Sequence, residues 1–235
     1  MRRATSALAL FVVGTHLAFA QGLSLWPEGA EMLPPTSAVL SVGEVSSERA
    51  AQGGQGLWAG DPGRYFTGAL VGFLGHETGH VLANYALDTH PYLKHVEFGF
   101  IPFFTIQPGK RLTHREHYIT ASAGFNAQFA ISEWLLTEHP DLKDEDEAFL
   151  KGLFGFNFWL GVGYTATGLA GYGPQERDTK GMADALGWSE SSVAALVLAP
   201  TLLDGYRYKH PGSKWARDAS RLTKLLLYGV AVEAD

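Results

Sequence analysis

The chain has 235 residues, of which 46% are hydrophobic and only 18% are charged, and its formal net charge is −6 at neutral pH. This acidic balance excludes a general nucleic-acid binder, which needs a basic surface. Cysteine is absent, which excludes disulfide scaffolds, thiolate metal sites and cysteine nucleophiles. Any metal ion must therefore be held by histidine or carboxylate side chains.

The first twenty residues have the pattern of a signal peptide. Arg2 and Arg3 form a basic start, an apolar stretch follows at 7–13, and Ala18-Phe19-Ala20 fits the small-x-small rule for cleavage. We expect the mature chain to begin at Gln21 and to follow the export pathway of a bacterium. The alternative is an uncleaved membrane anchor, for which the apolar stretch is short.

The next segment, 21–64, is predicted to be a loop-rich leader, because prolines and glycines interrupt every helical period in it. The segment 65–206 is predicted to be a helical core. Three apolar stretches in it, at 65–87, 118–136 and 149–172, have about the length of a membrane-spanning helix. The fold class predicted from this pattern is mainly α, a bundle that spans the membrane.

Shorter elements are predicted between and after these helices. Aromatic and β-branched residues at 94–107 indicate a short β-hairpin that follows the first core helix. A polar stretch at 174–189 indicates a short helix, and the apolar segment 192–203 is expected to be broken by Pro200. The remaining residues, 207–235, are predicted to be a basic C-terminal tail.

The charges of the predicted loops suggest an orientation in the membrane. The loop at 88–115 is basic and the loop at 138–148 is acidic, which places the first in the cytoplasm and the second outside. We therefore expect a multi-pass protein of the bacterial inner membrane. The alternative is a periplasmic protein whose apolar helices form a buried core.

One motif carries chemistry. His76-Glu77-Thr78-Gly79-His80 has the His-Glu-x-x-His spacing, in which two histidines four residues apart share one helix face and can bind one ion. Imidazole and carboxylate ligands with one open position are typical of catalytic zinc. Glu77 is expected to act as a general base on a zinc-bound water rather than as a ligand.

A third ligand is needed, and three carboxylates are candidates. Asp178 and Asp184 lie on the polar stretch after the third apolar helix. Asp204 lies at the end of an apolar segment, in Leu203-Asp204-Gly205, where a carboxylate is costly unless it is paired or bound to metal. We expect Asp204 to be the ligand and keep Asp178 and Asp184 as alternatives.

The order of these segments resembles the site-two protease family of intramembrane zinc metalloproteases over about 65–206. In that family His-Glu-x-x-His supplies two ligands and the aspartate of Leu-Asp-Gly supplies the third. The resemblance thus implies zinc held by His76, His80 and Asp204, with Glu77 as the base. The middle motif of the family, Ala-Gly-Pro-x-x-Asn, corresponds here to Ala123-Gly124-Phe125-Asn126-Ala127-Gln128, which lacks the proline and has glutamine for the asparagine.

The predicted function is a membrane-embedded, zinc-dependent endopeptidase. Its expected partners are a membrane-anchored protein substrate, held by strand addition near 98–106, and the lipid bilayer. Asn126 is a candidate contact to an oxyanion or the substrate, and its alternative role is a hydrogen bond between helices. Two alternative functions remain, namely a soluble or peripheral periplasmic zinc peptidase and a non-enzymatic helical membrane protein with a degenerate metal site.

Overall fold

The computed structural model describes residues 61–98 and 101–232, and for 97–98, 101–103 and 232 it describes the backbone alone. In chain order the elements are α1 (Pro62–Ala86), β1 (Tyr92–Phe98), β2 (Ile101–Gln107), α2 (His114–Glu138), α3 (Ala148–Ala170), α4 (Asp178–Leu186), α5 (Glu190–Lys209) and α6 (Lys214–Gly229), followed by a 3-10 turn at Val230–Val232. The prediction of a mainly helical fold with a hairpin after the first core helix is confirmed. The predicted signal peptide and residues 21–60 of the predicted leader lie outside the described residues.

Helix α1 begins where its sequence supplies a cap. The Asp61 carboxylate accepts hydrogen bonds from the backbone N–H groups of Gly63, at 2.8 Å, and Arg64, at 3.3 Å. The helix then packs against α3 at Gly68 and Gly152, where a Cβ added to either glycine would overlap the backbone of the other helix. This close approach, together with packing against α2, places the His-Glu-x-x-His segment inside the bundle.

Buried apolar side chains form two clusters along α2. The larger cluster joins the N-terminal half of α2 to α4, α5 and α6 through residues such as Tyr118, Phe125 and Met182. The smaller cluster joins the C-terminal end of α2 to α3 through residues such as Leu135 and Phe154. Helix α4, which carries a residue of the candidate site, is therefore fixed by the larger cluster.

The C-terminal region differs from the expectation in two ways. Helix α5 continues through Pro200 instead of breaking there, because the buried residues Val197 and Thr201 on either side hold it against its neighbours; Thr201 lies against Gly161 of α3. Residues 214–229 form a helix that packs on the bundle, with Leu227 fully buried and its carbonyl oxygen accepting a hydrogen bond from the Tyr118 hydroxyl at 2.7 Å. Long-range contacts thus override the local signals.

The three apolar stretches that were predicted to span the membrane lie in helices α1, α2 and α3. Within residues 61–98 and 101–232, no single helix combines the length and the apolar character needed to cross a bilayer. Helices α4 and α5 meet the same criteria of length and composition as a pair, but they are bent by 119° at the break between them.

Candidate metal centre

The two histidines of the motif lie on one face of α1 and are buried. Their exposed fractions are 2% for His76 and 9% for His80. The two Nε2 atoms are 3.3 Å apart, as the four-residue spacing on a helix predicts for side chains of one face. Both imidazoles therefore present an Nε2 atom to the same small volume.

The third group at this volume is Asp178, the first residue of α4. Its Oδ2 atom lies 3.0 Å from Nε2 of His76 and 3.3 Å from Nε2 of His80. Of the possible metal-ligand groups in the described part of the chain, His76, His80 and Asp178 are the ones whose ligand atoms come together. The structure thus places Asp178, one of the two aspartates that sequence reasoning kept as alternatives, beside both histidines.

Because Gly124 of α2 has no side chain, there is room beside it for the Nε2 atoms of His76 and His80. A Cβ at position 124 would lie 2.5 Å from the Nε2 atoms of both His76 and His80. Gly79 lets α1 and α2 approach, since its Cβ would overlap the carbonyl group of Ala123. The two glycines therefore form a cradle that any larger side chain at 124 would fill.

The Nδ1 atom of each imidazole forms a hydrogen bond to an oxygen outside the group of His76, His80 and Asp178. Nδ1 of His80 lies 2.8 Å from the carbonyl oxygen of Thr120, and Nδ1 of His76 lies 3.3 Å from Oε1 of Gln128. The amide of Gln128 is oriented by its Nε2, which donates to the carbonyl oxygen of Asn157. Because these oxygens only accept, Nδ1 of each ring donates and Nε2 of a neutral ring keeps its lone pair.

The loop before Asp178 is held from two sides. The Arg177 guanidinium donates to both carboxylate oxygens of Glu190, from Nε at 2.6 Å and from Nη2 at 2.5 Å. On another side, Nζ of Lys94 in β1 donates to Oε1 of Glu176 at 2.8 Å. The backbone of the loop is therefore anchored both to α5 and to the hairpin.

The electrostatics of the site favour positive charge between these groups. Burial disfavours the charged form of His80, but the nearby Asp178 carboxylate and hydrogen bonds to Asp178 and Thr120 outweigh it and raise the pKa of His80 to about 9. Burial likewise disfavours the Asp178 carboxylate, yet His80 and His76 hold the pKa of Asp178 well below its usual range. A volume that favours a proton in this way also favours a metal cation.

Glu77 lies beside the histidines without joining the group of three. It is half-buried, and burial raises the pKa of Glu77, an effect that His76 and His80 reduce and Asp178 increases. A raised pKa makes a carboxyl group easier to protonate, which is the direction of shift that a proton-transferring group needs. Glu77 therefore has the environment of a general base and acid.

A cavity of about 710 Å³ opens beside these residues. Glu77, His80 and Asp178 contribute to its wall, and the hairpin contributes four consecutive residues of β2, 104–107. Lys94 and Val96 of β1 line it as well, so the cavity borders both strands of this two-stranded sheet. An edge strand thus lies next to the candidate metal centre.

Asp204 lies in a different environment, which corrects its expected placement beside the histidines. It is buried, and its carboxylate contacts Nζ of Lys224 at 2.8 Å, Nη1 of Arg207 at 3.3 Å and the hydroxyl of Ser220 at 2.6 Å. Lys224 and Arg207 also contact Glu133 of α2, at 2.9 and 2.5 Å. A buried carboxylate needs compensating charge, and two cations supply it here.

Asn126 and Asp184 also lie outside the group of three. Nδ2 of Asn126 donates to Oγ of Ser122 on the same helix at 3.3 Å, and Asn126 is not among the residues that line the cavity. Its expected contact with a substrate or an oxyanion has no support in this arrangement. Asp184 lines the cavity but forms an ion pair with Lys180.

Sequence reasoning overlooked three residues around the histidines. Gln128 was noted only as a departure from a family motif, Tyr164 was interpreted as a packing or interfacial residue, and Thr120 was not considered for the site. Tyr164 of α3 lies against His76, with ring centroids 6.0 Å apart. No local pattern marks these positions, because a hydrogen bond between helices depends on packing and not on spacing along the chain.

Comparisons with known proteins assign no relative to this chain. No family model, no curated protein and no solved structure matches it. Its function therefore has to be inferred from the geometry of the candidate metal centre.

Proposed function

We propose that this protein is a zinc-dependent peptidase in which His76, His80 and Asp178 hold the metal ion and Glu77 is the general base. The observation that carries the proposal is the convergence of three possible ligand atoms. Nε2 of His76, Nε2 of His80 and Oδ2 of Asp178 lie 3.0 to 3.3 Å from one another. Because Nδ1 of each ring already donates to an oxygen, the Nε2 atoms are the ones that can share a cation with Asp178, either a proton in the metal-free protein or a zinc ion in its place.

The separations fit zinc. Zinc binds imidazole nitrogen and carboxylate oxygen at about 2.0–2.2 Å in tetrahedral sites. The edge of a tetrahedron is about 1.63 times the distance from its centre to a corner, which gives about 3.3–3.6 Å between ligand atoms. The observed distances of 3.0, 3.3 and 3.3 Å approach one face of such a tetrahedron and leave one corner for a water molecule or a substrate.

The residues of the chain supply the remaining chemistry. Zinc bound at this site supplies Lewis acidity, which lowers the pKa of water and polarises a carbonyl group. Glu77 accepts a proton from the attacking water and returns it to the leaving amine. Thr120 and Gln128 accept from the Nδ1 atoms of the histidines and so fix the tautomer in which Nε2 is free to bind.

The edge of β2 supports a peptide substrate. Within the described residues this strand pairs only with β1, and residues 104–107 border the cavity that contains Glu77 and Asp178. An extended peptide can add to such an edge through main-chain hydrogen bonds. A peptide bond in that strand would then lie beside the metal-binding residues.

A membrane-anchored substrate and contact with lipid remain part of the proposal. Phe66, Leu70 and Leu74 follow one another at four-residue intervals on α1 and are 61%, 56% and 52% exposed. An apolar stripe of this kind is suited to a lipid surface and requires no helix to cross the bilayer. Retention of the protein in membranes washed with alkaline carbonate supports embedding, and release into the supernatant favours the periplasmic alternative.

Metal analysis and peptide hydrolysis test the proposal together. The purified protein should bind one equivalent of zinc and hydrolyse an unstructured protein substrate. Glu77→Gln should keep the zinc and lose hydrolysis, because Glu77 is a base and not a ligand. Glu138→Gln, at the exposed C-terminal end of α2, is the matched control and should keep both. A wild-type protein without zinc, or a Glu77→Gln variant with full activity, would overturn the assignment.

A further inference from the structure

One face of α3 forms a wall of the cavity that contains Glu77 and Asp178. The residues of α3 that line this cavity are Trp159, Leu160, Gly163, Tyr164 and Thr167. Positions three and four residues apart share one side of a helix, and a rise of about 1.5 Å per residue makes this wall about 12 Å long. The wall reaches the candidate metal centre at Tyr164, whose ring centroid lies 6.0 Å from that of His76.

The middle of this wall has no side chain. Gly163 lies between Trp159 and Thr167 on the same face, and a Cβ added at position 163 would meet no side chain and no other element within 4 Å. The neighbouring Gly161 differs, because a Cβ there would overlap the hydroxyl of Thr201 on α5. Gly161 therefore serves helix packing, whereas the space beside Gly163 belongs to the cavity.

The hairpin forms another side of the same cavity with apolar residues. Val96, Phe104 and Ile106 line it. In the part of the chain that the structure describes, the hairpin does not pack against α3, so the cavity separates the two. Its volume of about 710 Å³ lies within the range of about 300–1,000 Å³ that is typical of ligand pockets. An extended peptide along β2 would project alternate side chains toward one face of the strand.

The charged residues of the cavity wall do not favour a charged substrate side chain. Lys94 pairs with Glu176, and Asp184 pairs with Lys180. A charged group that entered the cavity would have to compete with these ion pairs. The remaining contact surface on α3 is apolar, and Trp159 offers most of it because this side chain is 60% exposed.

We propose that the space beside Gly163 holds a large apolar side chain of the peptide substrate, and that glycine at this position sets the size that the site accepts. This inference names the substrate class of the proposed peptidase and rests on that function. A phenylalanine or leucine side chain in this space would remove apolar surface of Trp159 and Leu160 from water, which favours binding. An alanine side chain would leave the space to water. The preferred substrate is therefore a peptide with a large apolar residue close to the cleaved bond.

Gly163→Leu tests the inference because it fills the space from α3. Two peptides based on a cleaved site, which differ only in phenylalanine or alanine close to the cleaved bond, are compared by kcat/KM. The wild-type protein should favour the phenylalanine peptide, and Gly163→Leu should lower the ratio of the two kcat/KM values at least about 10-fold, since a single methylene in an apolar pocket already has an effect of this size. The melting temperature should not fall, because leucine is a better helix former than glycine and its Cβ meets no neighbouring element.

Gly229→Leu is the matched control. Gly229 ends α6, a Cβ there also meets nothing within 4 Å, and the residue does not line the cavity, so the ratio should keep its wild-type value. Trp159→Ala is the second test, because it removes apolar wall instead of filling the space. It should lower the same ratio through weaker use of the phenylalanine peptide, and it decides the question if Gly163→Leu fails to fold or cleaves neither peptide.

Peptide binding separates this inference from the proposed function. Titration calorimetry of both peptides uses Glu77→Gln, which should bind them without cleavage. Tighter binding of the phenylalanine peptide that Gly163→Leu removes, in a protein whose wild type hydrolyses neither, supports the apolar site and overturns the peptidase. Hydrolysis with an unchanged ratio in both Gly163→Leu and Trp159→Ala overturns the apolar site and leaves the peptidase. A wild-type protein that treats the two peptides equally overturns the apolar site as well.

Discussion

Gly124→Ala should abolish tight zinc binding by filling the space between the histidines. The added methyl carbon would lie 2.5 Å from Nε2 of both His76 and His80, whereas comfortable contacts between such atoms are about 3.5 Å. Relief of this overlap needs a shift of about 1 Å, and metal–ligand distances tolerate only about 0.2 Å. We therefore expect zinc affinity to fall at least about 100-fold, or about 2.7 kcal/mol.

The assay is competition for zinc against a chromophoric chelator, beside thermal unfolding with the chelator in excess. Overpacking should reduce the free energy of unfolding by about 1–3 kcal/mol, which leaves enough folded protein to measure. Gly163→Ala is the control, since a Cβ at position 163 of α3 meets nothing within 4 Å. It should keep the zinc affinity and gain up to about 1 kcal/mol from helix propensity. A Gly124→Ala variant that binds zinc like the wild type would refute the proposed position of the ion.

Gln128→Leu should weaken zinc binding by about 10–100-fold, because Nδ1 of His76 loses its acceptor. Gln128→Glu keeps an acceptor, so it should bind zinc more tightly than Gln128→Leu in the same competition assay. Burial raises the pKa of Glu133, but Lys224, Arg207 and Arg221 outweigh it and lower the pKa to about 2, from 4.5. Because the pKa of Glu133 is lower in the folded than in the unfolded protein, its charge stabilises the fold at pH values above about 4.5. This contribution to the free energy of unfolding, on the order of 3 kcal/mol, is lost as the pH falls from about 4.5 to about 2. In urea unfolding, Glu133→Gln should be less stable than the wild type at neutral pH, and its free energy of unfolding should fall less steeply as the pH is lowered. A fall as steep as that of the wild type would contradict the role assigned to the Glu133 charge.

The parts of the fold that depend on local signals could be predicted from the sequence. The His-Glu-x-x-His spacing places His76 and His80 on one face of a helix. Asp61 and Pro62 also form a local start signal for α1, which begins at Pro62 although the predicted leader extended to 64. The hairpin also follows from short-range strand and turn signals. Pro200 is the counterexample, because a local breaker was overridden by packing on both sides of it.

The third group of the site could not be selected from the sequence, because several carboxylates satisfied the same local criteria. Asp204 was favoured since a carboxylate in an apolar segment needs compensation, but Lys224 and Arg207 compensate a buried charge as well as a metal ion can. Lys224 lies in a segment that was expected to be a tail. Asp178 lies in a polar stretch, which is typical of a protein surface. The packing of α4 against α2 brings it to the histidines, and this contact cannot be read from the local sequence.

The zinc content of Asp178→Ala and Asp204→Asn is the most direct test of the assigned ligand set. Each variant is purified, equilibrated with limiting free zinc, and analysed for metal per folded molecule beside the wild-type protein. Asp178→Ala should lose zinc while its helical circular dichroism remains, because the proposed site takes a ligand atom from this residue. Asp204→Asn should lower the melting temperature and still bind one equivalent of zinc in its folded fraction. Full zinc occupancy of Asp178→Ala with loss of zinc from folded Asp204→Asn would contradict the centre formed by His76, His80 and Asp178.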